Sequence, residues 1–268
     1  DNKNSLRMDL NIKNKNALVC GSSRGIGKAA AIEIAKLGAN VTLVARSAEK
    51  LLEVKNQLDI SQGQAHDYLV IDFTDSTALK KKMYTLVATK AIHILINNTG
   101  GPPGGAIIDA APEEFSQAFH NHIICNQILV QTVLKGMKEN HYGRIINIVS
   151  TSVREPLAGL GVSNTIRAAV GNWAKTMANE LGEFGITVNN VLPGFTDTER
   201  LREIMQQRAK NWGKREEEVL QIMKNQVPLK RFADPSEIGN AVAFLSTPAA
   251  SYITGTNLTV DGGRTQSY

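Results

Sequence analysis

The chain has 268 residues, 42% of them hydrophobic and 21% charged, with 22 glycines, 8 prolines and 2 cysteines. Cys20 and Cys125 lie too far apart in sequence to form by themselves a disulfide framework or a zinc site, and no apolar run approaches the roughly 18 residues of a membrane-spanning helix. The net charge of +5 is spread over the first seventeen residues, the Lys80-Lys81-Lys82 run and the basic residues near 200–215, so nucleic acid is not an expected partner. Without the apolar core of a signal peptide, the chain reads as a cytoplasmic protein with buried, reduced thiols. Its length suits one large α/β domain over 8–268, with 1–7 read as a leader.

From Lys15 onward short apolar runs alternate with amphipathic stretches. Residues 17–20 read as a strand, 26–37 as a helix ended by Gly38, and 41–45 as a second strand. A helix over 47–58, a strand over 68–71, a helix over 76–89 and a strand over 92–96 follow. The second series is a helix over 112–139, a strand over 143–149, a helix over 163–183 and a strand over 187–192. This alternation predicts right-handed crossovers and a doubly wound parallel sheet with helices on both faces, the Rossmann arrangement. After Pro193 the rhythm breaks: residues 198–226 read as charged helix interrupted at Trp212-Gly213, and no strand returns until 257–260. A connection this long inside a compact domain is expected to be a lid over a substrate cleft, the alternative being a surface insertion. Asp234-Pro235-Ser236-Glu237 carries the marks of a helix start.

Gly21-Ser22-Ser23-Arg24-Gly25-Ile26-Gly27 falls between a strand and a helix. Glycines there allow a tight turn and let the backbone approach a pyrophosphate, whose charge is favoured by the helix amides. Dinucleotide folds place an acid at the end of the second strand to bind the ribose 2′-hydroxyl, yet here the strand ends in Arg46. With Arg24 in the loop, two guanidinium groups could bracket a 2′-phosphate, so NADP is preferred over NAD.

These motifs resemble the short-chain dehydrogenase/reductase family over nearly the whole chain from Met8. The resemblance rests on Gly21, Gly25 and Gly27, on Asp72 as the adenine-side aspartate, on Asn97-Asn98-Thr99-Gly100, and on Pro193-Gly194 near the nicotinamide. The tail Tyr252-Ile253-Thr254-Gly255 followed by Val260-Asp261-Gly262-Gly263 looks like the 3-oxoacyl-acyl-carrier-protein reductase branch. It implies cofactor contacts from Gly21, Ser23, Arg24, Gly25, Ile26, Gly27, Arg46, Asp72, Phe73, Asn98, Gly100, Pro193, Gly194 and Thr196, and no metal. It also implies a small carbonyl or alcohol substrate, an acyl thioester among the candidates, and a homotetramer built on helices 112–139 and 163–183 and the last strand.

The family's catalytic group is Asn, Ser, Tyr and Lys in chain order. Ser150 matches the serine, but Ser163 stands at the tyrosine position, Arg167 at the lysine and His122 at the asparagine. An aliphatic hydroxyl does not titrate in the accessible range, and an arginine supplies charge but does not shuttle protons. His122 is then the candidate proton donor, acting through water or Ser163 while Ser150 and Arg167 stabilise the developing alkoxide; a histidine satisfied in the interior is the alternative. His120 faces another side of its helix, Tyr142 is too remote to replace the acid, and Arg154 and Glu155 read as loop ion-pairing residues. The leading reading is an NADP-dependent oxidoreductase with a nonstandard proton donor. An NADP-binding sensor or scaffold that has lost catalysis, and a non-redox enzyme using the Ser-Arg pair, remain open.

Overall fold

The computed structural model describes residues 8–267, so the leader expected at 1–7 lies outside the described residues. Seven parallel strands form one sheet in the order β3-β2-β1-β4-β5-β6-β7. They are β1 (Asn16–Cys20), β2 (Asn40–Ala45), β3 (Asp67–Val70), β4 (Ile94–Asn97), β5 (Gly143–Ile148), β6 (Ile186–Pro193) and β7 (Asn257–Val260). The helices are α1 (Gly25–Lys36), α2 (Ala48–Lys55), α3 (Ser76–Val87), α4 (Pro112–Phe119), α5 (Cys125–Glu139), α6 (Gly161–Leu181), α7 (Glu199–Trp212), α8 (Glu216–Asn225) and α9 (Pro235–Leu245). No helix among the described residues is long and apolar enough to cross a membrane.

Period-two alternation along the strands sorts their side chains into two cores. Ala17, Val19, Ile94, Ile96 and Ile146 point to the face covered by α1, α2 and α9. Leu18, Cys20, Leu95 and Ile145 point to the face covered by α3, α5 and α6. Burial on both faces explains why the strands read as continuous apolar runs. Both cysteines are buried and free.

Four asparagines break this apolar pattern in register. Asn97 pairs with Asn147 on the next strand, Asn147 with Asn190, and Asn190 with Asn257. Their amides form a continuous chain: Asn97 Nδ2 donates to Asn147 Oδ1 at 2.8 Å, Asn147 Nδ2 to Asn190 Oδ1 at 2.9 Å, and Asn190 Nδ2 to Asn257 Oδ1 at 2.8 Å. The ladder crosses the sheet from the last residue of β4, through Asn147 near the end of β5 and Asn190 within β6, to the first residue of β7.

One expectation needs correction. The helix expected over 112–139 is two helices joined by a π-helical turn, His120–Ile124, in which the Cys125 amide reaches back to the His120 carbonyl. Composition carries no mark of this turn, because it adds one residue to a hydrogen-bonded loop without changing the apolar face. The break expected at Trp212-Gly213 is present: the left-handed φ of 61° at Gly213 ends α7, and α8 follows. The helix start at Asp234 has the expected form: Asp234 Oδ1 accepts from the Ser236 amide at 2.8 Å, and the Glu237 carboxylate accepts from the Asp234 amide at 2.8 Å. Asp234 and Glu237 thus cap α9, which lies against α1.

The α1–α9 contact depends on a missing side chain. A Cβ on Gly239 would lie 2.9 Å from the Ala29 carbonyl carbon and 3.0 Å from its oxygen, both backbone atoms that cannot yield. G239V is therefore expected to destabilise the fold by about 1–3 kcal/mol, the range for overpacking a tight contact, read as a lower urea midpoint at unchanged slope.

Candidate active site

The loops that follow β1, β4, β5 and β6 open at the carboxyl edge of the sheet, where ligands of such folds bind, onto a cleft of about 1490 Å³. That exceeds the usual span of roughly 300–1,000 Å³ for a single small ligand. The cleft has room for a dinucleotide together with a substrate.

At one end the glycine loop sits against β4. Gly21 and Gly25 take left-handed φ values of 59° and 56°. A Cβ on Gly21 would lie 2.5 Å from the Asn98 carbonyl oxygen, and one on Gly27 would lie 2.6 Å from Asn98 Nδ2 and overlap the Gly21 carbonyl. Asn98 Nδ2 donates to that carbonyl at 3.2 Å, which fixes the turn. Ser22 Oγ, fully buried, accepts from the Val44 amide at 3.0 Å and ties the loop to β2. Arg24, the N-cap of α1, makes no side-chain capping bond, and the first turn holds no acid. The first-turn amides therefore keep their capacity for an anion, which is the fit a pyrophosphate needs.

Ser23, Arg24, Gly25, Ile26, Arg46, Asp72, Phe73, Asn98, Gly100, Pro193, Gly194 and Thr196 line the cleft with Gly21, while Gly27 is buried behind them. The Asp72 carboxyl is held below its usual range by the Thr74 amide at 3.0 Å and, more weakly, by the Arg46 charge. Arg24 does not stand free beside Arg46. Its guanidinium pairs with Glu199 at the start of α7. The α7 helix also brings Thr198 to 3.5 Å from where a Gly25 Cβ would be, so the 198–226 segment closes against the glycine loop.

At the other end Ser150 follows β5 in extended backbone, and its Oγ accepts from the Ser152 amide at 3.1 Å, which leaves its hydrogen for a cleft ligand. Arg167 reaches in from α6. Its Nη1 donates to the Ile148 carbonyl at 3.1 Å, and its Nε is buried without a partner. Burial, then Arg200, pushes the Arg167 pKa down to about 10, so the side chain is still cationic at neutral pH. Ser163 is half-buried in the first turn of α6, one turn before Arg167, and is not among the residues lining the cleft. That turn is set by Asn164, whose side chain bonds both the amide and the carbonyl of Leu157.

His122 is 2% exposed, lies behind the cleft rather than on it, and meets Thr99 Oγ1 through Nδ1 at 2.7 Å. Burial, then the Arg167 charge, pushes its pKa down to about 2. Its imidazole is neutral across the physiological range, and the contact with Thr99 ties it to the residue before Gly100. Tyr142 donates to the Ser246 carbonyl at 2.7 Å, away from the cleft, and Arg154 reaches the Asn257 carbonyl at 3.5 Å. Sequence reading missed Glu199, Phe195, Arg200, Arg208 and Arg264, all lining the cleft. A cluster of basic residues near 200–215 was the one signal for Arg200 and Arg208, and it reads equally well as solvated surface; Phe195, Glu199 and Arg264 carried none.

The fold and this site define a dinucleotide-binding α/β protein whose cleft holds a serine and a buried cation at its far end. Residues 21–265 match the family model described as enoyl-(acyl carrier protein) reductase. The chain is 33% identical over 256 residues to the 3-oxoacyl-[acyl-carrier-protein] reductase FabG of Vibrio cholerae, covering 95% of this chain and 98% of that one. The L-sorbose reductase of Gluconobacter frateurii, solved with NADPH and L-sorbose, superposes with a TM-score of 0.90 at 30% identity, over 97% of this chain and all (100%) of that one. YwfH, an NADPH-dependent reductase involved in bacilysin biosynthesis, superposes with a TM-score of 0.87 at 27% identity, over 96% and 100%. The chain belongs to the short-chain dehydrogenase/reductase family.

The depressed His122 pKa has a stability consequence. Below its unfolded pKa of roughly 6.5 the unfolded chain binds a proton that the folded chain refuses. His122 thus contributes stability that is fully present above about pH 6.5 and is lost progressively as pH falls toward its folded value. In H122N the loss of stability between about pH 7.5 and about pH 5 should shrink by about 2 kcal/mol, measured by urea unfolding at each pH. An unchanged pH dependence would show that His122 titrates normally in the fold.

Proposed function

We propose that this chain is an NADPH-dependent oxidoreductase that moves hydride between the nicotinamide and a carbonyl or alcohol carbon of a small substrate. The observation that carries the reading is an intact glycine cradle opening onto a cleft whose far end holds Ser150 and the buried Arg167 cation. NADP(H) supplies or receives the hydride. Gly21, Gly25 and the α1 amides receive the pyrophosphate, Arg46 and Arg24 the 2′-phosphate, and Asp72 and Phe73 flank the adenine. Gly100, Pro193, Gly194 and Thr196 border the nicotinamide. Glu199 competes with the 2′-phosphate for Arg24, which ties the position of α7 to cofactor binding.

Ser150 donates to the carbonyl oxygen, and Arg167 stabilises the negative charge that grows on it. With Ser163 at the tyrosine position and His122 neutral, the proton comes from water admitted to the cleft, held near the first turn of α6. The α7–α8 segment acts as the lid. The relatives' activities make 3-oxoacyl thioesters and small polyhydroxy ketones suitable first substrates. Phe119 and Ile124, 43% and 40% exposed on the outer side of α4 and the π-turn, suit the homotetramer interface, which sedimentation would measure. A protein that binds NADPH without turning it over is the second reading, favoured by the aliphatic hydroxyl at 163. The glycine cradle speaks against a non-redox enzyme.

Fluorescence titration is expected to give NADPH an affinity advantage over NADH of roughly 10- to 100-fold, and R46Q should remove most of it. S150A should lower turnover about 100-fold while leaving NADPH affinity unchanged. Absence of NADPH binding would overturn the reading; tight binding without oxidation on any ketone, thioester or quinone would leave the sensor in its place.

A further inference from the structure

The arginines around the α7 end of the cleft separate into two sets. Arg24, Arg200 and Arg202 each face a carboxylate: Glu199 for the first, Glu203 at 3.1 Å for the second and Asp197 at 3.5 Å for the third. Arg208 on α7 and Arg264 after β7 also line the cleft, yet among the described residues neither guanidinium has a carboxylate or any hydrogen-bond acceptor. They nevertheless converge on one ring. The Arg264 guanidinium carbon stands 4.4 Å from the Phe195 centroid and that of Arg208 stands 5.8 Å from it. Phe195 follows Pro193-Gly194 directly, beside the nicotinamide end.

The arrangement is built and not incidental. Phe195 is fixed edge-on against Phe232, with centroids 5.9 Å apart, and packs with Leu201, Val219 and Met223. Asp261 is fixed by the Thr265 amide at 2.6 Å and the Gly263 amide at 2.9 Å, so its carboxylate shapes the turn that carries Arg264 without pairing with the guanidinium. Arg264 Nε is buried with no partner. Two like charges 4.4 and 5.8 Å from one aromatic ring, one with an orphaned donor, raise each other's cost of burial unless an anion lies between them. Burial, then Arg264, accordingly holds the Arg208 pKa below its ordinary value.

We infer that the substrate is a carboxylate-bearing carbonyl compound, a short oxoacid, whose carboxylate is gripped by Arg208 and Arg264 over the Phe195 ring while its carbonyl faces Ser150 and Arg167. The inference rests on the oxidoreductase reading of the same cleft and names its substrate class. Planar guanidinium groups match a carboxylate through paired N–H donors, and stacking on an aromatic face holds them in place without neutralising them. A neutral ketone would leave both cations unpaired.

Two measurements on the full chain test this. In the first, NADPH oxidation is compared for matched pairs of 3-oxoacid and methyl ester, with the corresponding pantetheine thioester as a third arm. The free acids should show kcat/KM on the order of 10- to 100-fold above their esters, and R208Q and R264Q should lower the acid values by a similar factor while affecting the esters far less. R264K should recover part of the loss, because it restores the charge but not the planar fork. In the second, succinate, which has no reducible carbonyl, is titrated calorimetrically into the NADP⁺ complex, with inorganic phosphate in parallel. Succinate should bind, and R208Q should weaken it at unchanged NADP⁺ affinity.

Esters or thioesters reduced as well as acids, an equal effect of R208Q on acids and esters, or phosphate binding tighter than succinate would each overturn the carboxylate assignment. Arginine-dependent succinate binding without turnover of any substrate would overturn the oxidoreductase reading and keep the anion site. Ester reduction without succinate binding would do the reverse.

Discussion

The site depends on the register of the second half of the sheet, and that register is held by the asparagine ladder. A buried amide with no partner costs about 1–3 kcal/mol, so a slip of one residue in β5 or β6 would leave several such groups unpaired and also turn each apolar face the wrong way. The ladder lies at one level, and the functional positions lie at a fixed distance above it. Gly100 is three residues past Asn97, Ser150 three past Asn147, Pro193 three past Asn190, and Asp261 four past Asn257. Four loops from four strands therefore arrive at a similar height, where the loop after β4 pairs with the loop after β5 through Gly105 and Leu160 and Gly194 packs against Asp261. A rigid polar seam below a set of short loops is how the fold places a serine, a glycine turn and the Arg264 turn within one cleft.

Electrostatics then decides which groups in that cleft can be charged. Arg167 and His122 lie close enough that the cationic form of one opposes the other, and burial penalises both. The guanidinium begins with a pKa some six units higher, so it keeps its proton and the imidazole gives its own up. Burial is the larger cause of the neutral imidazole, and the Arg167 charge adds to it.

The sheet, most helices and the glycine loop were legible in sequence because each is a local pattern: apolar runs, 3.6-residue periodicity, a capping box at Asp234 and glycines where a Cβ would meet Asn98. The π-turn at His120–Ile124 was not, since one inserted residue leaves periodicity within its ordinary scatter. The neutral state of His122 was not legible either: a pKa is a property of surroundings, and nothing in its own segment reveals how deeply it is buried or that Arg167 is its neighbour. The same holds for the wall of the cleft. Glu199 is 175 residues from Arg24, and Arg208 and Arg264 meet only at a ring carried by a third segment. Counting cations near 200–215 shows their number, but only the fold separates those that carry a carboxylate from those that do not.

That division bears on how a site without a phenolic acid can work. A positioned general acid contributes on the order of 10²–10⁴ in rate, and one preorganised charge or donor on the developing oxyanion contributes on the order of 10²–10³. Arg167 and Ser150 would therefore recover much of what Ser163 in place of tyrosine forgoes, provided the carbonyl is held against them while water delivers the proton. Holding it is a matter of orientation, and binding energy from a non-reacting part of the substrate is well suited to that task. A carboxylate clamp at Arg208 and Arg264 supplies such energy at a distance from the chemistry. An active site that takes its proton from water would gain most from a second point of attachment, and the two guanidinium groups without a carboxylate are where the proposed clamp would provide one.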